Sequence, residues 1–137
     1  MSDIQKTLDA LYAAYAQGDF ERVSSMMDES IEWMIYAPVT VFPFAGPRRG
    51  RAAAVQTMRE IAQAYAIEAY EREIVTVDGD QVAVVAGVRM RQRATQRILR
   101  FRVANFMRFK DGLLSEFREF SNSFDVAEQA LGHGLAF

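Results

Sequence analysis

The stretch Ile98-Leu99-Arg100-Phe101-Arg102-Val103-Ala104-Asn105-Phe106-Met107-Arg108-Phe109 decides the architecture. Phe101, Val103, Asn105, Met107 and Phe109 fall on every second position, all apolar except Asn105. That is the period of a strand with one buried face. Lys110-Asp111-Gly112 follows, a hairpin turn in which Gly supplies positive φ. The chain then continues as a second strand over 113–122. Working backwards, the same period runs through 80–92 and 69–78, with Asp78-Gly79-Asp80 as the turn between them. Four consecutive strands over 69–78, 80–92, 97–109 and 113–122 make an antiparallel meander.

Upstream of the meander the period changes. Ile4, Leu8, Leu11, Tyr12 and Tyr15 recur at helical spacing, so 2–17 reads as a helix with Ser2 and Gln5 as a capping box. Gly18 ends it, and Asp19 caps a second short helix over 20–28. Residues 30–36, Ser-Ile-Glu-Trp-Met-Ile-Tyr, read as a strand that Pro38 stops. The loop over 37–50 holds Pro38, Pro43 and Pro47 beside Val41, Phe42 and Phe44. A loop so apolar is expected to fold over something apolar. Ala53, Ala54, Val55, Met58, Ile61, Ala62 and Tyr65 return the pattern to helix over 51–66. A last short helix is expected over 124–131. The order α-α-β-α-β-β-β-β predicts an α+β fold, with helices on one face of a curved sheet. The 137 residues fit a single domain.

Bulk properties exclude several classes. The chain has no cysteine and one histidine, His133 in a Gly-flanked tail. Thiol nucleophiles, disulfides, Cys-ligated metals and multi-His metal sites within one chain are therefore excluded, and no metal is expected. A formal net charge of -2 lacks the basic excess that nucleic acid or anionic membrane selects. No apolar run approaches the ~18 residues of a membrane span, and the first residues lack the pattern of a leader. The expected location is the cytoplasm.

Several words, in order, resemble the NTF2-like superfamily, in particular its SnoaL-like and ketosteroid-isomerase-like branch. They are Gly18-Asp19-Phe20, Ile31-Glu32-Trp33, Gly46-Pro47-Arg48-Arg49-Gly50-Arg51, Phe106-Met107-Arg108-Phe109-Lys110-Asp111-Gly112 and Phe117-Arg118-Glu119-Phe120. The resemblance spans nearly the whole chain. It implies a cone-shaped (cystatin-like) sheet packed on three helices from the N-terminal half. It also implies a pocket between sheet and helices, and a homodimer through the outer sheet face. Isomerases of this group use a proton-shuttling carboxylate with a tyrosine and a neutral acid as hydrogen-bond donors. By alignment, Tyr12 lies one residue from the tyrosine position, the base position falls on Met34, and the neutral-acid position falls on Arg102. Two of the three chemical roles are thus missing, and steroid isomerisation is not expected. One fold here hosts many chemistries, so the resemblance implies no single activity.

Candidate site residues follow. The resemblance turns Phe117, Glu119 and Ser121 inward. There Glu119 would be a carboxylate of raised pKa able to shuttle protons; the other reading is a partly exposed Glu paired with Arg118 or a neighbouring Arg. Asn105 interrupts the apolar alternation, so it is either a polar group in the pocket or a backbone-bonding Asn at a bulge. Arg102 has the opposite parity from Asn105. Alternation turns it outward, alignment turns it inward, and a β-bulge is the way to reconcile the two. Trp33, Met34, Tyr36, Phe42, Phe44, Met90 and Tyr15 are candidate pocket residues, against ordinary core packing for each aromatic. Arg89, Arg91, Arg93, Arg97, Arg100 and Arg102 crowd one hairpin. Glu68, Glu71 and Glu73 are the expected counter-charges on a neighbouring strand, and a dimer surface is the other use of such a face.

Together these readings imply a cofactor-free SnoaL-like enzyme. It would run acid–base chemistry of the isomerase, cyclase or hydrolase type on a small hydrophobic ligand, with Glu119 as shuttle and Asn105 and Tyr12 as donors. The alternatives are a non-catalytic carrier of an apolar ligand and a homodimeric partner-binding protein.

Overall fold

The computed structural model describes residues 3–136. Its elements run α1 (Asp3–Ala16), α2 (Phe20–Ser25), β1 (Met27–Ile35), β2 (Gly46–Arg49), α3 (Arg51–Ala64), β3 (Tyr65–Asp78), β4 (Gln81–Gln92), β5 (Ile98–Lys110), β6 (Leu113–Ser121) and α4 (Ser123–Leu131). The strands form one six-stranded sheet in the order β2-β1-β6-β5-β4-β3. The sheet is curved and open, and the fold is the α+β, NTF2-like architecture expected.

The meander forms because its alternation is nearly unbroken. Val82, Val84, Ala86, Val88 and Met90 on β4 are all buried, as are Leu99, Val103, Asn105, Met107 and Phe109 on β5. The β5–β6 turn works because Asp111 and Gly112 both take positive φ, 52° and 79°. Such a turn twists in the same sense as the strands it joins.

Three features depart from the expected pattern. First, β1 pairs with β6 in parallel, Trp33 opposite Phe117 and Ile35 opposite Glu119, so the sheet is not wholly antiparallel. Strand β2, helix α3 and the first three strands of the meander separate these two strands in the chain, and local sequence carries no record of their pairing. Second, the loop before α3 contains the short strand β2, which runs antiparallel to β1 and places Arg48 and Arg49 at the sheet edge. Third, α2 stops at Ser25, and Met27 already belongs to β1. The cap proposed at Ser2 lies outside the described residues.

Helices α1 and α3 cover one face of the sheet. Leu8, Leu11 and Ala14 of α1 and Ala54, Thr57 and Met58 of α3 are buried against it. The 37–45 segment closes over the same layer. Phe42 and Ala45 are buried, and turns bonded to Pro38 and Phe42 carbonyls hold the segment in place. After β6 ends, Gln129 of α4 bonds both the N–H and the C=O of Arg100, at 2.8 Å each. This occupies backbone groups that β6 no longer reaches. Among the described residues no helix is long and apolar enough to cross a membrane.

Candidate functional site

Between the sheet and helices α1 and α3 lies a cavity of about 110 Å³. Its walls are apolar: Leu11, Val23, Ile35, Met58, Val88, Val103, Met107 and Leu114 contribute, with Phe42 and Phe44 from the loop. Tyr12, Tyr15, Trp33, Met90, Phe117 and Ser121 also line it. Glu119, Asn105 and the previously unsuspected Tyr70 complete the polar set. Among the described lining residues Glu119 is the one carboxylate, and no Lys, Arg or His faces it.

The sheet places Glu119 and Asn105 side by side. Ile35, Glu119, Asn105 and Val84 lie in one row across β1, β6, β5 and β4. The inward parity of Glu119 depends on an irregularity lower in β6. Arg108 pairs with Glu116 but Phe109 pairs with Leu114, so Ser115 is an extra residue that shifts the strand. Leu114 can therefore point inward together with Phe117, Glu119 and Ser121.

The polar atoms form a chain. Asn105 Nδ2 donates to Tyr12 Oη at 2.7 Å and to Tyr70 Oη at 2.8 Å. Tyr70 Oη in turn donates to Glu119 Oε1 across a long 3.5 Å. The Tyr70 ring lies against Tyr12 and Tyr15, with centroids 5.7 and 6.2 Å away. Asn105 is 1% exposed, and its Oδ1, like the Trp33 Nε1, is buried without a hydrogen-bond partner.

Electrostatics follow from enclosure. Burial pushes the Glu119 carboxyl from 4.5 up to about 7, and the Tyr70 hydrogen bond opposes that rise. Its neighbours leave Glu119 partly uncovered, as expected of a side chain bordering a void deep in the fold. Burial also pushes the Tyr12 hydroxyl up to about 12, and Tyr15 and Tyr70 upward as well. The three phenols therefore stay protonated at neutral pH. The set offers one proton acceptor near neutrality beside fixed hydroxyl donors, which is the equipment of general acid–base chemistry. No cluster of three or more His, Cys, Asp or Glu among the described residues is arranged to hold a metal.

Three candidates from the sequence lie elsewhere. Arg102 points outward and bonds Glu73 at 3.1 Å on the opposite face of the sheet. The bridge crosses β4 at Gly87, the Cα partner of Arg102, where a Cβ would stand 2.9 Å from Glu73 Oε1. The regular β4–β5 register gives no bulge that could turn Arg102 inward. Met34 and Tyr36 also lie outside the cavity, in a shallow surface groove with Arg48 and Arg118. Trp33 and Ile35 take the inward positions, so Met34 between them must face out. The Tyr36 hydroxyl accepts a hydrogen bond from Arg118 at 2.8 Å, and its ring stacks on Phe120. Arg118 also bonds Glu116, so Glu119 is not its partner.

Tyr70 escaped the sequence reading for a similar reason. Tyr65 and Ile67 border the inner layer, but the β3–β4 register slips between Ile67 and Ala69 and skips Glu68. The slip turns even-numbered Tyr70 inward. Glu68 is freed to pair with Arg89 and Arg91, at 3.3 and 3.0 Å. The signal available was a hydroxylated aromatic within a run of charges, Glu68 to Glu73.

The comparisons agree with this geometry. A SnoaL-like domain model matches residues 8–117. A crystal structure from Rhodopseudomonas palustris, named provisionally as an isomerase, is 33% identical, with a TM-score of 0.86 over 97% of this chain and 98% of that one. An NTF2-like protein from Burkholderia xenovorans is 23% identical, with a TM-score of 0.81 over 93% and 95% of the two chains. An LEH-like epoxide hydrolase from M. tuberculosis shares the fold at 15% identity, with a TM-score of 0.74 over 93% and 88%. No curated protein matches the chain significantly. The family match over most of the length and the 33% identical relative lead to one conclusion: this chain belongs to the SnoaL-like domain family.

Proposed function

We propose that the protein is a small-molecule enzyme that moves a proton within a hydrophobic carbonyl compound. The observation that carries this reading is the lone Glu119 carboxyl in an apolar cavity, held near neutrality by burial and bonded by Tyr70. The ionised Glu119 takes a proton from the carbon beside the carbonyl. The electron pair moves toward the carbonyl oxygen, which Tyr12 stabilises by hydrogen bonding. Glu119 then returns the proton to another carbon, so the product is an isomer and the enzyme is restored. The provisional isomerase among the relatives supports this class of reaction. A cavity of about 110 Å³ favours a ligand of about one ring over a steroid, since an engineered void of ~150 Å³ takes benzene. The outward turn of Met34 leaves Trp33 and Ile35 as the inward residues there, and neither accepts a proton.

The test is exchange in D₂O with small cyclic ketones, followed by NMR at the carbon beside the carbonyl. Wild type is expected to exchange well above buffer. Glu119→Gln is expected to be slower by about a hundred- to ten-thousandfold. Exchange equal in the two proteins removes Glu119 from the mechanism. A ketone that binds without exchanging would favour the second reading, a non-catalytic carrier, which the single carboxylate among the described lining residues also supports.

The outer sheet face supports homodimer formation. Phe106 and Phe120 are exposed there at 48% and 40% and pack edge to face, with Tyr36 stacked on Phe120. Exposed aromatics beside Arg118 and Arg108 fit an interface composition. Sedimentation of the full chain is expected to give twice the 15.5 kDa monomer mass. A monomer at micromolar concentration rejects that assembly.

A further inference from the structure

This inference rests on the carbonyl reading above and concerns how the site is oriented. Asn105 has two amide hydrogens, and both are engaged: one with Tyr12 Oη at 2.7 Å, the other with Tyr70 Oη at 2.8 Å. It therefore has no hydrogen left for a ligand. Each phenol oxygen, already accepting from the amide, must send its own hydrogen elsewhere. Tyr70 sends its hydrogen to Glu119 Oε1. Among the described residues the Tyr12 hydroxyl meets no protein acceptor, and Tyr12 lines the cavity.

Either orientation of the amide leaves one of its atoms buried without a partner, Oδ1 as assigned or Nδ2 if reversed, so Glu119 separates the two. With Oδ1 toward the phenols, both hydroxyls would donate inward to Asn105. Glu119 would lose its donor, and a buried carboxylate without one is costly. The chain thus has a direction, set at its middle.

We propose that Asn105 is a positioning residue that fixes this direction, so that Tyr12 presents a donor to the ligand, Tyr70 orients Glu119, and the cavity selects molecules bearing a carbonyl-type acceptor. Glu119 Oε1 stays occupied by Tyr70 and Oε2 remains for the proton. The groups facing Glu119 are few. Tyr12 and Tyr15 come from α1 and Tyr70 from β3, while Arg72 of β3 lies 4.9 Å from the centre of the Tyr12 ring and pairs with Asp9. Its row neighbours Ile35, Asn105 and Val84 carry no charge. The cavity residues from α3 and α4, including Met58, Ile61 and Val126, carry none either.

Two readouts test the assignment. The first is the titration of the ¹³C-labelled Glu119 carboxyl, which needs no ligand. Tyr70→Phe removes the long 3.5 Å hydrogen bond that favours the ionised form, so its midpoint is expected above wild type. Tyr12→Phe is expected to leave the midpoint in place. A residue that merely filled space at position 70 would not move it. An unshifted midpoint in Tyr70→Phe overturns the role of Tyr70.

The second is the isotope-edited infrared band of the carbonyl of cyclohexanone bound to the full chain. A phenol donor lowers its frequency. The lowered band is expected in wild type and in Tyr70→Phe. It is expected to be absent in Tyr12→Phe. It should also be absent in Asn105→Asp at a pH where the new carboxyl is ionised, since the carboxylate accepts from both phenols and so reverses the chain. A lowered band that survives in Tyr12→Phe or Asn105→Asp overturns the direction assigned here. If wild type binds cyclohexanone with no lowered band, selection of a carbonyl fails, and the functional reading fails with it. If Asn105→Asp does not fold, Tyr12→Phe still decides the matter.

Discussion

Glu119→Gln is expected to be more stable than wild type at pH 8 and equally stable near pH 4. The folded carboxyl titrates at about 7 against 4.5 unperturbed. Below 4.5 both folded and unfolded states hold the proton, and the side chain contributes no pH dependence. Between 4.5 and 7 the unfolded state has released its proton and the folded state has not, so wild-type stability falls as pH rises. Above 7 the loss is complete. The rise from 4.5 to about 7 corresponds to about 3 kcal/mol, and the partial exposure of Glu119 brings the expected figure to about 2–3 kcal/mol. Glutamine does not ionise and escapes this loss. The stability difference between the two proteins, from urea unfolding, should therefore grow from near zero at pH 4 to that size at pH 8. A difference independent of pH would show that folding does not raise the Glu119 pKa. Such a cost in the ionised state is what the acid–base role proposed for Glu119 entails in an apolar site.

Phe42→Ala carries the second large effect. Phe42 is 3% exposed, with Phe44 and Tyr65 at ring-centroid distances of 5.7 and 6.5 Å. Phe→Ala in a core costs about 3–5 kcal/mol. One side of Phe42 borders the cavity, where fewer atoms are in contact, so the lower end, about 3 kcal/mol, is expected here. The change also enlarges the void and admits water beside Glu119. Its pKa should fall from about 7 toward 4.5, because desolvation is the leading cause of the rise. Urea unfolding gives the first number and the ¹³C titration the second. A loss under about 1 kcal/mol, or a carboxyl midpoint that does not move, would show that the proline-held loop is not what seals the cavity.

How far the sequence could be read depended on how local each determinant is. Alternation along β5 turns Asn105 inward and Arg102 outward, and the structure has both. Alignment to the isomerases had pointed Arg102 the other way, and the regular β4–β5 register follows the alternation. The same rule excludes Met34, since Trp33 and its immediate neighbour cannot share a face of one strand. The apolar loop was expected to cover something apolar, and Phe42 with Ala45 does so.

Tyr70 marks where that reading stopped. Its side is decided by a slip in β3 that appears only once β3 pairs with β4. The inward turn of Glu119 likewise requires the extra residue Ser115 in β6, and its row partner Ile35 comes from a parallel pairing with β1 across most of the chain. By itself the sequence determined the long helices, the four strands of the meander, the Asp-Gly turns and the inward face of β5, because these depend on neighbours one to four residues away. Only the tertiary structure decided that Tyr12, Tyr70, Asn105 and Glu119 form one chain in one cavity. Strand register, bulges and the enclosure that raises the pKa of Glu119 are properties of contacts between distant segments, and no local pattern encodes them.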